Sequence, residues 1–197
     1  MAAVAYDEAT ALLVVDVQND FTHPDGSLSV ADAEAVLPAV NEQVAAAVAA
    51  GAPVIYTQDW HPPRTPHFVT DGGPWPVHCV AGTWGARLHD DLVVAGPSVH
   101  KGTGGEDGYS GFSMRDTTTD EARSTGLHEL LRERDVSRVV IVGLALDYCV
   151  KETALDAVRL GYEDVVVPRT TTAPVEVEPG DGARAEAALV AAGVTVV

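Results

Sequence analysis

Short apolar runs alternate with longer amphipathic stretches along this chain. The runs have the length and the branched residues of buried strands, at residues 11–15, 54–57, 138–142, 164–167 and 194–197, with a further strand ending near Val99. The amphipathic stretches predict helices at residues 31–50, 126–134, 147–160 and 182–192. This alternation predicts an α/β fold, in which a mostly parallel sheet carries helices on both faces.

Four residues with chemically reactive side chains follow these predicted strands. They are Asp16, Asp59, Lys101 and Cys149, the last a few residues beyond the strand at 138–142. The carboxyl ends of parallel strands meet at one edge of a sheet, and open α/β sheets bind ligands beyond that edge. We therefore expect the four side chains to converge on one site.

Cys149 and Lys101 carry the strongest chemical signals. Cys149 opens the predicted helix at 147–160, where backbone N–H groups and the helix dipole favour a thiolate, although many free cysteines are simply small buried hydrophobes. The chain has only two lysines against ten arginines, and Lys101 is one of the two. Beside a buried carboxylate such as Asp16, Lys101 would be a compact charge with a tunable pKa. The alternative is that Lys101 is an ordinary loop lysine exposed to solvent. The second thiol, Cys79, lies in a predicted loop and is interpreted as structural.

A carboxylate and three histidines lie close together in the sequence. They are Asp59, His61, His67 and His78. Imidazole and carboxylate donors without cysteine suit zinc, iron(II) or manganese, and an incomplete set of protein ligands leaves a position for water or substrate. The same spacing also fits loop histidines that bind nothing. The segment is therefore a candidate site for one divalent metal ion.

Length, charge and cysteine content narrow the class of protein. The 197 residues contain no repeat, low-complexity tract or linker, which predicts a single domain over residues 1–197. A formal net charge of -17 repels phosphate backbones and anionic lipid, so we expect neither nucleic acid nor a membrane as partner. Two cysteines are too few for a disulfide scaffold, and residues 1–11 lack the features of a signal peptide, so a cytoplasmic location is predicted.

Several segments resemble, in order, the motifs of one known family. They are DVQNDF at 16–21, DWHP at 59–62, WPVHC at 75–79, KGT at 101–103, YSGF at 109–112 and ALDYCV at 145–150. The set is similar to that of the nicotinamidases, or pyrazinamidases, within the isochorismatase-like cysteine hydrolases. The resemblance covers nearly the whole chain, and it implies a six-stranded, mostly parallel sheet with helices on both faces.

The resemblance implies a role for each candidate residue. The implied catalytic triad is Asp16, Lys101 and Cys149, and the implied metal ligands are Asp59, His61 and His78. The implied walls of the substrate site are Phe21 and Trp75, and the implied oxyanion hole is formed by the backbone amides of Ala145 and Cys149. A cis peptide bond just before Leu146 is expected on the same basis.

Two positions depart from the family pattern. The spacing from His61 to His67 is longer than in many members but resembles members that use this histidine, which makes His67 a candidate fourth ligand. Leu146 stands where many relatives have threonine, so a side-chain hydroxyl is absent there while the backbone is retained.

The activity that the resemblance implies is hydrolysis of nicotinamide to nicotinate and ammonia, in NAD salvage, through a thioester on Cys149. It requires one divalent metal ion, zinc before iron or manganese, and pyrazinamide is a further candidate substrate. A related hydrolase for another small amide or an N-carbamoyl compound is the alternative. An inactive ligand-binding relative, and a metal hydrolase in which Cys149 is a bystander, are further alternatives, and the chain could form a homo-oligomer.

Overall fold

The computed structural model describes residues 4–116 and 119–197. Its strands are β1 (Thr10–Val15), β2 (Val54–Asp59), β3 (Ser98–Lys101), β4 (Ser113–Arg115), β5 (Ala122–Ser124), β6 (Arg138–Leu144), β7 (Asp164–Val167), β8 (Thr172–Ala173) and β9 (Thr195–Val196). Its helices are α1 (Asn19–Thr22), α2 (Ala33–Ala49), α3 (Leu127–Arg132), α4 (Lys151–Arg159) and α5 (Asp181–Ala191). Short 3-10 turns lie at Val69–Asp71 and Arg169–Thr171, and a π-helical turn at Leu146–Val150 leads into α4.

The central sheet has seven strands, and its pairings are parallel. The order is β3-β2-β1-β6-β7-β9, and β8 pairs with the end of β6. The predicted fold class is confirmed, but the predicted count of six strands is wrong by one, because β8 has two residues and is too short to form an apolar run. The sequence also gave no sign of the antiparallel hairpin of β4 and β5, whose β5 residues are all exposed.

Alternate residues of the central strands face two separate hydrophobic cores. On β1, Leu12 and Val14 belong to one core, which α2 covers, while Leu13 and Val15 belong to the other, which α3, α4 and α5 cover. Period-2 alternation in a strand buried on both sides produces this division. The prediction of helices on both faces is therefore confirmed, and no helix among residues 4–116 and 119–197 is long and apolar enough to cross a membrane.

The predicted element boundaries are close to the observed ones, with one difference near Cys149. The chain does not enter an α-helix at residue 147: the Leu146–Val150 turn is π-helical, and α4 begins only at Lys151. Upstream, Gly143 has a φ of 104°, and a Cβ there would lie 2.1 Å from the carbonyl oxygen of Val15. Only glycine fits at this approach of β6 to β1. The single domain over 1–197 stays a prediction, and residues 1–3 and 117–118 lie outside the described part of the chain.

Candidate active site

Three of the predicted site residues meet at the carboxyl edge of the sheet. Asp16 follows β1, Lys101 ends β3, and Cys149 lies in the turn that precedes α4. Lys101 Nζ lies 2.7 Å from Asp16 Oδ2 and 3.6 Å from Cys149 Sγ. All three residues are buried. The convergence expected from the parallel strand order is therefore observed.

Lys101 is held as a cation by two carboxylates. Its Nζ lies 2.5 Å from Asp59 Oδ1, in addition to Asp16, and it donates a hydrogen bond to the Gly108 carbonyl. Burial alone would lower the pKa of Lys101, but Asp16 and Asp59 raise it well above its ordinary value. A buried charge is tolerated when it is paired in this way. The ammonium is a fixed positive charge beside the Cys149 sulfur.

Asp16 has the properties of a general base. Its backbone is left-handed, with φ 50°, and Thr57 Oγ1 donates a 2.7 Å hydrogen bond to Asp16 Oδ1. Burial raises the pKa of Asp16 to about 6, against the opposing effect of Lys101. Burial also raises the pKa of Cys149 well above its ordinary value, with Lys101 opposing. A raised pKa favours the neutral thiol, so attack by this sulfur requires a base that accepts its proton.

The three predicted histidines form one cluster beside Asp59. Ring nitrogens of His61, His67 and His78 all lie within 4.8 Å of one another. His61 Nδ1 is 3.2 Å from the carbonyl oxygen of Gly102, and His78 Nδ1 is 2.7 Å from that of Pro76. These contacts orient each ring, so that the Nε2 atoms of both point toward Asp59.

This cluster fits a divalent metal ion. Asp59 Oδ2 lies 3.6 Å from His61 Nε2 and 3.8 Å from His78 Nε2, and within the described residues nothing hydrogen-bonds to the buried His61 Nε2. Burial lowers the pKa of His67 to about 3 and also lowers that of His78, so both imidazoles are neutral, as metal ligands must be. Although burial would raise the pKa of Asp59, Lys101 and the histidines lower it, which keeps it a carboxylate.

A narrow cleft connects the histidine cluster to Cys149. Phe21, Trp75 and Ala145, to which the family resemblance assigns roles, line it together with Leu28, Val30, Tyr109, Tyr148 and Val175. Trp75 Nε1 donates a 2.9 Å hydrogen bond to the Tyr109 hydroxyl, and the Trp75 ring meets Tyr148 edge-on with centroids 4.9 Å apart. The cleft is therefore aromatic and apolar, with the polar groups at its base, an arrangement suited to a small ring-bearing ligand.

Comparison with known proteins places the chain in a family. The family model described as an isochorismatase domain matches residues 10–196. The chain belongs to the isochorismatase family. Within it, the nicotinamidase of Acinetobacter baylyi is 40% identical over 176 residues, which cover 80% of this chain and 78% of that protein. The resemblance found in the sequence motifs is confirmed.

Two solved structures are similar to this chain over at least 96% of its length. PnC1 from L. infantum, in complex with nicotinate, matches with a TM-score of 0.88 and 37% identity, covering 100% of this chain and 96% of that chain. The pyrazinamidase of Pyrococcus horikoshii, in complex with zinc, matches with a TM-score of 0.84 and 36% identity, covering 96% of this chain and 98% of that chain.

One prediction drawn from the family resemblance is wrong by one bond. The cis peptide joins Leu144 and Ala145, whereas it was expected just before Leu146. The reason is that the chain leaves β6 at Leu144 and the π-helical turn already begins at Leu146, so the change of direction falls at the strand end. Ala145 and Cys149 still line the same cleft. The role of their amides as an oxyanion hole stays a prediction.

Sequence reasoning assigned no role to several residues that shape the site. Tyr109 and Tyr148 lie within recognised motifs, yet only the packing shows that they contact Trp75. Asp147 accepts hydrogen bonds from the backbone N–H groups of Val175 (2.8 Å) and Glu176 (3.0 Å), and so holds the loop that carries Val175 to the cleft. Its partners are almost thirty positions away, which no local pattern reveals.

The second thiol, Cys79, is not among the described residues that line the cleft. It is fully buried, and its backbone N–H donates a 2.7 Å hydrogen bond to Asp20 Oδ2. Burial raises the pKa of Cys79 well above its ordinary value, and nearby acidic residues add to the effect. Its placement agrees with the structural interpretation.

Proposed function

We propose that this chain is a nicotinamidase, which hydrolyses nicotinamide to nicotinate and ammonia through a thioester on Cys149. The observation that supports it most is the contact of Lys101 with Asp16, Asp59 and Cys149 at the base of an aromatic cleft, beside three histidines. Nicotinamidases at 35–40% identity over most of the chain support the same substrate. Phe21 and Trp75 are the proposed walls for the pyridine ring.

The proposed acylation half-reaction uses Asp16 and Cys149. Asp16 accepts the thiol proton while the sulfur forms a bond to the amide carbon, and Lys101 stabilises the thiolate as it develops. The backbone N–H groups of Ala145 and Cys149 hold the oxyanion. The carbon–nitrogen bond then breaks, and the nitrogen leaves as ammonia with the proton that Asp16 returns.

The proposed deacylation half-reaction consumes one water molecule. Asp16 accepts a proton from that water as its oxygen bonds to the thioester carbon. The carbon–sulfur bond breaks, the proton that Asp16 holds goes to the sulfur, and the product acid gives up its remaining proton to solvent and leaves as nicotinate. The same carboxylate therefore acts in both halves, which its raised pKa of about 6 permits near neutral pH.

The proposed metal ligands are Asp59, His61 and His78, with His67 as a fourth. We infer zinc, since these donors suit it; iron(II) and manganese share the donor preference. When bound, the ion supplies a fixed positive charge and Lewis acidity at the base of the cleft. Cytoplasmic location and the absence of nucleic-acid and membrane partners remain parts of this proposal, with pyrazinamide as a further substrate.

The test is release of nicotinate and ammonia from nicotinamide by the purified protein, with metal analysis of the same sample. Turnover by protein with about one metal ion per chain would support the proposal. N-carbamoylsarcosine and ureidoacrylate are measured in parallel. Turnover of either one by metal-loaded protein that leaves nicotinamide intact would overturn the nicotinamidase assignment in favour of the N-carbamoyl alternative.

A further inference from the structure

Gln18 contacts the backbone of Asp59 with both ends of its side-chain amide. Its Oε1 accepts a 2.8 Å hydrogen bond from the Asp59 N–H, and its Nε2 donates to the carbonyl oxygens of Asp59 (2.8 Å) and Ala86 (2.9 Å). Gln18 is fully buried. Its amide therefore has no role at the surface, and two of its three hydrogen bonds are made with Asp59, the residue that joins Lys101 to the histidines.

The reason for this contact lies in the path of β1. Strand β1 pairs with β2 as far as Val15 and Thr57, and the chain then turns away at Asp16, where φ is 50°. Within residues 4–116 and 119–197, Asp59, at the end of β2, thus has no backbone partner on that side. The Gln18 amide takes the place of the missing peptide group, since a primary amide offers the same donor and acceptor. On its other side Asp59 pairs with Lys101.

The backbone of Gln18 also fixes the neighbouring site elements. Its N–H donates a 2.7 Å hydrogen bond to the Asp16 carbonyl. Its carbonyl accepts hydrogen bonds from the N–H groups of Phe21 (3.1 Å) and Thr22 (2.8 Å), at the start of α1. One buried residue therefore connects the proposed base, the ring-binding aromatic residue and the proposed metal ligand.

We propose that Gln18 is a positioning residue that sets the metal affinity of the site. By holding the Asp59 backbone on both polar groups, it fixes a carboxylate whose Oδ1 faces Lys101 and whose Oδ2 faces the Nε2 atoms of His61 and His78. Groups that do not bind the metal themselves but hold a ligand residue in place by hydrogen bonds typically change metal affinity by 10- to 100-fold. The inference rests on the metal site of the proposed function and adds a determinant to it.

The experiment compares Gln18→Met with Gln58→Met. Gln58 is also buried, precedes Asp59 and donates a 2.9 Å hydrogen bond to the same Ala86 carbonyl. Its replacement therefore removes a similar amide but leaves the contacts of Gln18 with Asp59 in place. Zinc affinity is measured by competition with a chromophoric chelator. We expect Gln18→Met to weaken zinc binding by about tenfold or more and Gln58→Met by less than about threefold. Saturating zinc should restore most of the nicotinamide turnover of Gln18→Met, a rescue that general structural damage would not allow.

Equal zinc affinities for the two variants would overturn the proposal. If Gln18→Met does not fold, Gln18→Asn takes its place, because it keeps the amide but shortens its reach; the same loss of zinc affinity is expected. Failure of both variants to fold would assign Gln18 to folding and would also overturn the proposal. Wild-type protein that binds zinc but leaves nicotinamide intact would contradict the proposed function alone, because the comparison of affinities does not depend on the substrate.

Discussion

At the scale of single residues, the nucleophile can be distinguished from the other buried thiol. Cys149 lies 3.6 Å from Lys101 Nζ, whereas Cys79 Sγ is 3.8 Å from the Gly85 carbonyl. Cys149→Ala should therefore lower kcat for nicotinamide by more than about a thousandfold, since no thioester can form. Cys79→Ala, the matched loss of a buried thiol, should retain activity within a few-fold, as measured by ammonia release. Substantial turnover by Cys149→Ala would instead support a metal hydrolase with this cysteine as a bystander.

The pH dependence should report the ionisation of Asp16. Burial raises its pKa to about 6, so the carboxylate that accepts the thiol proton is present above that pH and is lost as the pH falls through it. We expect kcat/KM for nicotinamide to fall on the acid side with an apparent pKa near 6. Asp16→Asn should be nearly inactive over the whole range. A wild-type rate that stays constant down to about pH 4.5 would contradict this role for Asp16.

At the scale of elements, the loop between β8 and α5 should control substrate affinity. Asp147 is buried and holds the N–H groups of Val175 and Glu176, and Val175 lines the cleft. Asp147→Ala should raise KM by about tenfold with a smaller fall in kcat, because a wall of the cleft loses its support. Steady-state kinetics with nicotinamide measure both constants.

The matched control for this loop is Glu176→Ala. The Glu176 carboxylate accepts hydrogen bonds from the N–H groups of Gly180, at the end of the same loop, and Gly182, in the first turn of α5, and neither residue lines the cleft. Its loss should therefore change KM by about twofold at most. A fall in kcat for Asp147→Ala without a change in KM would show that Asp147 acts on Cys149 instead of on the loop.

At the scale of the whole molecule, metal binding should stabilise the fold. The proposed ligands come from the end of β2 and from the long connection after it, so an ion would fix that connection against the end of the strand. Zinc at about 100 times its Kd should add about 2.7 kcal/mol to the free energy of unfolding, or roughly 5–10 °C in Tm. Thermal unfolding with zinc and with a chelator measures the shift. His61→Ala should lose most of it, and an equal shift in that variant would place the ion elsewhere.

The net charge should also affect stability. At -17, repulsion among carboxylates opposes the compact state. Raising NaCl from about 0.1 M to about 1 M shortens the screening length from about 10 Å to about 3 Å, so Tm should rise. An unchanged or lower Tm would show that the surface ion pairs, such as Arg169 with Glu186, offset the repulsion.

The sequence determined the fold class and most of the proposed site residues. Apolar runs of strand length, such as the one at 164–167, predict strands that are buried on both faces. The resemblance of the motifs to a known family implied that Asp16, Lys101 and Cys149 form a triad. Local patterns carry this information because a buried strand is apolar along its length, and because the ends of parallel strands share an edge.

Tertiary structure decided the features that depend on contacts between distant segments. The two-residue strand β8, the support of Val175 by Asp147 and the contact of Gln18 with Asp59 have no local signature. In each case a side chain or a short segment satisfies backbone groups that lie tens of residues away. The type of a residue does not reveal its hydrogen-bond partner, because that partner depends on the path of the folded chain.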